Sequence, residues 1–363
     1  MTDAAAFAPP SPADLELLAA HGGEADTAGE LSVGQMTLMH RRGWLRMLAP
    51  RAVGGAELAL PDAVRLEEAV SEADGSCGWV VTLCAGAGWF AGFLPEGLAR
   101  EILATPGVCL AGSGAPTGFA DRDGDGWLVN GQWAHATGSQ LATHFTFNAQ
   151  LRERGLPLLD AQGQPRVRAF VVPAEQVRVE ADSWHSIGMR ATTSRAFAIN
   201  GVRVPGAQAF DIDAAHATAP GPLYRFAFAP LAYATLAACI AGLAWRFVGL
   251  AEALAARPLP HLGGPHAEAQ AAWRTGEQAL ARSRASFYTE LDAAWARVVR
   301  GEPMDEAAET RLNDTARSLA RTAREVVDTI YPFCGLRAAD PRSDINRAWR
   351  DLHTASQHSL WLR

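Results

Sequence analysis

Apolar positions divide the chain into three regimes. Up to about residue 105 they recur at helical spacing, most clearly in DAVRLEEAV (62–70), where the preceding Pro61 suits a first helical turn. SCGWVVTLCAGAGWFAGF (76–93) is apolar all round and rich in small residues, which predicts a core helix. PRAVGGAEL (50–58) is a glycine-punctuated loop. From 106 to 212 the period changes. Short β-prone runs occur at 108–113, 126–137, 144–151, 167–173 and 196–205, separated by turn strings such as DRDGDG (121–126) and DAQGQP (160–165). This pattern predicts a small antiparallel sandwich or barrel. Helical spacing then returns over Leu231–Ala256, Ala267–Arg300 and Glu302–Tyr331, with a loop at Pro258–Pro265 and a last helix from about Ser343 to the end. Four successive helices predict a bundle. The expected fold is α+β, mainly α: a helical domain at 1–105, a β domain at 106–217 and a four-helix bundle at 218–363.

Composition narrows the function. The net charge of −7 opposes a phosphate-tracking surface, so nucleic acid is not an expected partner. The longest apolar run, Leu231–Leu243, contains Tyr233, Thr235 and Cys239 and reads as a bundle helix, so no membrane span is expected. The N-terminus lacks a basic start followed by an apolar core, so no secretory signal is expected. The five cysteines are dispersed and include no closely spaced pair, which fits reduced thiols in the cytoplasm. The 32 basic residues are all arginine; without lysine there is no lysine Schiff base and no phosphate-loop lysine.

Three segments carry candidate chemistry. In WAHATGSQLA (133–142) a strand runs into Thr137-Gly138-Ser139, which offers two hydroxyls and a close backbone approach to a planar heterocycle. The same string would serve a plain β-bulge with a capping hydroxyl. DRDGDG lacks the twelfth-position glutamate of a calcium loop and reads as a hairpin turn. The small residues Ala238, Gly242 and Gly249 are explained by tight helix packing. RDLHTASQH (350–358) brings two histidines to the end of the chain.

AGSGAPTG (111–118), WAHATGSQLA, DSWHSIGMRATTS (182–194) and RDLHTASQH, in this order, resemble the acyl-CoA dehydrogenase superfamily. Within it they look most like the two-component flavin-dependent monooxygenase branch, the group D hydroxylases. The resemblance runs from about residue 30 to 358. It implies a flavin, FAD or FMN, docked between β domain and bundle. It places Thr137 at flavin N5, with Gly138 and Ser139 beside it. Gly112 and Ser113 would line the ring, and Pro116 and Thr117 the ring or substrate. Trp184, Arg190, Thr192 and Ser194 carry the third match; Trp184 and Arg190 would stand on the cofactor side, although Arg190 could instead pair with a carboxylate.

The reaction type turns on a missing acid. Dehydrogenases of this family remove an α-proton with a carboxylate eight residues after the Arg-Asp pair or on the central bundle helix. Those positions are Ser359 and about Ala232 here; no acid lies between Asp213 and Glu252, and none follows Asp351. A serine hydroxyl without an activating partner is far too weak a base. By the resemblance, His358 is left to accept a substrate proton or support the oxygenated flavin by hydrogen bonding. On a continuous helix His353 would stand about 140° away, so the two could not point identically into one pocket; His358 ranks first, and His353 is a substrate-pocket candidate. Two departures matter. Arg257 is not followed by the family's Phe-Gly, which suggests a looser grip on adenine and a flavin that arrives reduced. No histidine occurs between His40 and His135, which leaves Trp79 and Trp89 to line that side of the substrate pocket.

The expected activity is therefore oxygenation of a small organic substrate, aromatic or a biosynthetic intermediate, by reduced flavin and O2. A separate NAD(P)H:flavin reductase is implied, because no GxGxxG follows a strand. A homotetramer or homodimer through the bundle is typical of the family. The alternatives are a flavoenzyme acting on a CoA thioester and a degenerate, non-enzymatic binding protein.

Overall fold

The computed structural model describes residues 7–255 and 266–361. Arg257, Ala256 and the expected loop at Pro258–Pro265 lie outside the described residues. Helices α1 (Pro12–Ala28), α2 (Val33–Arg41), α3 (Leu60–Ala73), α4 (Gly75–Trp89) and α5 (Glu96–Leu103) open the chain. Asp74 both ends α3 and caps α4, its carboxylate accepting the Cys77 N–H at 2.9 Å, so the chain reverses within one residue. The later helices are α6 (Phe228–Ala255), α7 (His266–Val299), α8 (Glu306–Ile330), the short α9 (Gly335–Ala339) and α10 (Asp344–Ala355).

Small residues set the spacing of α3, α4 and α6. A Cβ at Gly78 would lie 2.0 Å from the Ser71 hydroxyl, and one at Gly242 would lie 2.3 Å from the Glu68 carbonyl. Close helix approach thus accounts for Gly78 and Gly242. It does not account for Gly249, expected to be a packing glycine, where nothing stands within 4 Å of a Cβ. Two helices prove long and apolar enough to cross a membrane, Gly75–Phe93 and Phe228–Leu254, contrary to the expectation that no run is. Both are largely buried inside the fold: central helices touched on all sides need no polar face.

Between the helical regions, β1 (Leu110–Asp123), β2 (Gly126–Ala136), β3 (His144–Glu153), β4 (Leu156–Pro157), β5 (Val167–Pro173), β6 (Arg178–Val179), β7 (Arg195–Val204) and β8 (Ala209–Phe210) form one eight-stranded sheet. Its order is β6-β7-β2-β1-β3-β5-β8, with β4 on β3. DRDGDG makes the β1–β2 hairpin, Asp123 opposite Gly126 and Gly124 left-handed at φ 62°. The sheet is not antiparallel throughout: β3 pairs with β1 in parallel. After β2 the chain passes over the end of β1 and re-enters on its far side. The turn that makes this crossing is the Thr137 turn.

The last helix does not run to the end of the chain. It stops at Ala355, with Ser356 as its cap, and a 3-10 turn follows at Ser359–Trp361. His358 therefore lies in the connecting turn, and the helical angle between His353 and His358 does not apply.

Candidate functional site

The Thr137 turn is fastened to the segment 189–194. The Gly138 N–H, at φ 74°, donates to the Thr192 carbonyl at 2.9 Å, and the Ser139 hydroxyl donates to the Thr193 carbonyl at 2.6 Å. A Cβ at Gly138 would stand 2.6 Å from Cys84 Sγ. Packing against α4 and the left-handed backbone thus both require a glycine here. Gly112 is explained in the same way, since a Cβ there would meet the Thr146 carbonyl at 2.1 Å within the sheet.

The Thr137 hydroxyl has a defined polarity. The Thr192 hydroxyl donates to the Met189 carbonyl at 2.8 Å, so in the 2.8 Å contact between Thr192 and Ser194 it is Ser194 that donates. Ser194 then has no proton left for its 2.8 Å contact with Thr137, and Thr137 must donate there. The Trp79 indole N–H donates to Thr137 Oγ1 at 3.2 Å. With its one proton committed to Ser194, Thr137 can offer a further partner only a lone pair.

The C-terminal turn closes on the same group. His358 meets the Trp79 ring edge-on, centroids 5.9 Å apart. Its Nδ1 accepts the Leu360 N–H at 3.4 Å, which favours the tautomer with the proton on Nε2. Burial, and secondarily the charge of His135, hold its pKa below the ordinary imidazole value. His135 lies in the irregular stretch of β2 between Trp133 and Ala136, with a left-handed φ of 64°. It is exposed, and its ring lies 5.9 Å from that of Trp184. The Trp184 N–H donates to Met189 O at 3.0 Å.

The Arg-Asp pair of the C-terminal motif clasps these parts together. Asp351 Oδ1 accepts the Met189 N–H at 2.5 Å, and Arg350 pairs with Asp26 at 2.8 Å. The Gly188 N–H donates to Thr354 Oγ1 at 3.1 Å, and a Cβ at Gly188 would overlap the Arg350 carbonyl group at 2.2 Å. Burial pushes the Asp351 carboxyl up to about 7. The buried acids are Asp14, Glu67, Glu68, Asp74 and Asp351, and none of them hydrogen-bonds to Thr137, Trp79 or His358 among the described residues.

Sequence reasoning placed other residues here that the structure does not bring together with this group. Trp89 is 1% exposed, donates to the Leu223 carbonyl at 3.1 Å and packs with Phe93, Tyr224 and Phe228. Ten residues beyond Trp79, it sits about 15 Å further along the helix axis. His353 has both ring nitrogens engaged, on the Trp349 carbonyl and on Asp328, each at 2.8 Å. Thr117 donates to the Gln132 carbonyl at 2.6 Å and, like Pro116, is exposed where β1 loses register with β3. Arg190 is exposed and pairs with no carboxylate among the described residues. Ser113 is not set apart in this way: it is half-buried in β1, its backbone pairs with Phe147 of β3, and its hydroxyl makes no hydrogen bond among the described residues. Ser359 is exposed. Sequence reasoning passed over His135 as a site residue. Its place two residues before Thr137 was visible, but the left-handed kink that exposes it was not.

These residues fit a flavin ring: an oriented acceptor at Thr137, a neutral imidazole at His358, and two indoles whose N–H groups are held away from the surface. Residues 231–362 match the family model described as "Acyl-CoA dehydrogenase, C-terminal domain". The chain is 31% identical over 331 residues to a pigment production hydroxylase of Rhodococcus sp., covering 88% of this chain and 83% of the relative. It is 26% identical to the flavin-dependent monooxygenase oxygenase subunit HsaA of Rhodococcus jostii, covering 89% and 86%. In structure it resembles the 3-HSA hydroxylase of Rhodococcus sp. RHA1 with a TM-score of 0.88 at 19% identity, covering 96% and 91%.

Proposed function

The chain belongs to the acyl-CoA dehydrogenase superfamily, in its flavin-dependent monooxygenase branch, and we propose that it is the oxygenase component of a two-component system. It is an oxidoreductase that uses reduced flavin and O2 to oxygenate a small organic substrate. The flavin supplies the oxygen chemistry when bound; the chain supplies position, proton handling and exclusion of water. A separate NAD(P)H-dependent reductase delivers the reduced flavin, and the relative named as an oxygenase subunit supports that division of labour. An aromatic substrate, a homotetramer or homodimer built through the bundle, and residence in the cytoplasm complete the reading.

One observation carries the assignment of residues. Thr137, Trp79 and His358 converge from the turn after β2, from α4 and from the C-terminal turn, and no described carboxylate joins them. Thr137 would take the ring edge at N5. Its available lone pair suits the reduced ring, which carries a proton on N5, better than the oxidised ring, whose N5 is an acceptor. His358, neutral at pH 7, is ready to take a proton from the substrate. Ser113, with its free hydroxyl, would line the ring. Trp184 and His135 form the outer wall.

The test is an anaerobic titration with reduced FAD and reduced FMN, followed by air and a panel of phenols and indoles. Uptake of reduced flavin and oxygenated product are expected. In His358→Ala, coupling of O2 use to product should fall about tenfold or more, while reduced flavin still binds within about twofold. Failure of the parent chain to take up either reduced flavin overturns the proposal. Unchanged coupling in the variant removes the role of His358.

A further inference from the structure

The turn that carries His358 also borders a second cleft. It measures about 280 Å³ and is lined by Arg317, Ala320, Arg321 and Arg324 of α8 with Ser356 and Trp361. Its hydrogen-bonding balance is one-sided. Arg317 lies over the Tyr233 ring at 4.6 Å and donates to the Tyr233 hydroxyl at 2.6 Å, while its buried Nε meets no acceptor among the described residues. The buried indole N–H of Trp361 also meets none. The remaining hydroxyl protons are already placed. Tyr233 donates to the Leu360 carbonyl at 3.3 Å, and Ser356 to the His353 carbonyl at 3.1 Å. Arg321 and Arg324 are exposed and engage no acid among the described residues. Of the acids near this face of α8, Asp314 is 3.6 Å from Arg317, Asp328 is held by His353, and the exposed Glu325, four residues after Arg321, does not line the cleft.

All of the unmet capacity is therefore donor capacity. Positions 317, 321 and 324 are spaced four and three apart, so the three guanidiniums share one face of α8. Planar guanidiniums beside an indole N–H complement an anion. The chain as a whole carries a net charge of −7, so this concentration of positive charge is local. Ser356 and Trp361 flank His358 in sequence, which ties the cleft to the reacting end of the molecule.

We propose that this cleft binds the anionic group of the substrate, a carboxylate or phosphate ester, so that the preferred substrates are acids. The proposal rests on the oxygenase reading. The Arg321 and Arg324 guanidiniums make the first contacts, and the Trp361 and Arg317 donors lie behind them.

The test uses the full chain with reduced flavin under anaerobic conditions. Calorimetry compares indole-3-acetate and 4-hydroxyphenylacetate with their neutral amides, and FMN with riboflavin. The acids should bind the parent about tenfold tighter than the amides. An Arg321→Gln/Arg324→Gln double variant should lose that preference without changing amide or reduced-flavin affinity. Arg321→Lys/Arg324→Lys should keep part of it. Equal affinity of acid and amide for the parent overturns the proposal, and so does a preference that survives in the Gln variant. A fall in FMN affinity without one for riboflavin would give the cleft to the flavin phosphate and also overturn it. Failure of the oxygenase reading would appear separately, as no uptake of reduced flavin by the parent.

Discussion

Two segments of the β domain look alike in sequence and behave differently in the fold. AGSGAPTG (111–118), within β1, and the turn Thr137-Gly138-Ser139, just after β2, are both rich in glycine, serine and threonine. In the first, Gly114 to Thr117 are exposed, and the Thr117 hydroxyl is satisfied by a neighbouring strand. In the second, all three residues are buried, and each is bonded to the segment 189–194. The difference lies in what the rest of the chain lays over them. The 137 turn crosses the sheet end beneath α4, so its polar groups must find protein partners, and the partners it finds fix the direction of the Thr137 hydroxyl. The 114–117 segment faces solvent, which can satisfy it in any arrangement.

The sharpest way to break this contrast is at glycine. Gly138→Val would force a β-branched residue to φ 74° and a Cβ onto Cys84 Sγ, whereas nothing stands within 4 Å of a Cβ at Gly114. Gly138→Val should destabilise the chain by on the order of 3–5 kcal/mol, and Gly114→Val by under about 0.5 kcal/mol, as read from urea midpoints. Equal midpoints would mean that the two segments are equivalent after all. Threonine gives a smaller and more functional contrast. Thr137→Val leaves the Trp79 N–H unmet and removes the oriented lone pair, so it should weaken reduced-flavin binding about tenfold. Thr117→Val should change it less than about twofold, which anaerobic fluorescence titration can decide.

How much of this was legible follows from the same contrast. Periodicity located α3, α4, α6, α7 and α8, because α3, α7 and α8 carry apolar stripes and α4 and α6 are apolar throughout, but it did not single out α1, whose apolar positions make no clear stripe. The parallel β1–β3 pairing was not legible, since strand periodicity is the same whichever way a neighbour runs. Thr137 and His358 were reachable through motif resemblance. That Trp79 faces the site while Trp89 does not depends on two positions of one apolar helix, and only tertiary packing separates them. The end of α10 at Ala355 was missed because ASQHS contains neither proline nor glycine to mark it.

The seal over the 137 turn has its own titration. Segment 189–194 is held to the bundle through Asp351, whose carboxyl burial pushes up to about 7 from an ordinary 3.8. Between those values the folded chain binds more protons than the unfolded one, so this group makes stability fall as pH rises from about 4 to about 7. Asp351→Asn keeps a carbonyl for the Met189 N–H and should remove that part of the pH dependence, as measured by unfolding at pH 4.5 and pH 7. A variant with the same slope as the parent would show that the clasp does not titrate.

The smallest expected effect bears on why a histidine stands at the exposed edge of a sealed turn. His358 is held below 6.5 first by burial and second by the charge of His135 in the β domain. In the folded state His358 releases its proton before an ordinary imidazole would, so this group makes the chain less stable as pH falls through 6.5 and keeps the base neutral above it. If neutral His358 is the proton acceptor, the acid limb of kcat/KM lies below 6.5. His135→Phe preserves an aromatic neighbour for Trp184 and removes the like charge, so the limb should move upward. It should still stop short of 6.5, because burial, the larger cause, remains. A limb that stays in place would confine His135 to packing on Trp184. A limb that rises to 6.5 or above would instead make the sealed turn the lesser influence on His358, and the contrast between buried and exposed segments would lose its bearing on the chemistry.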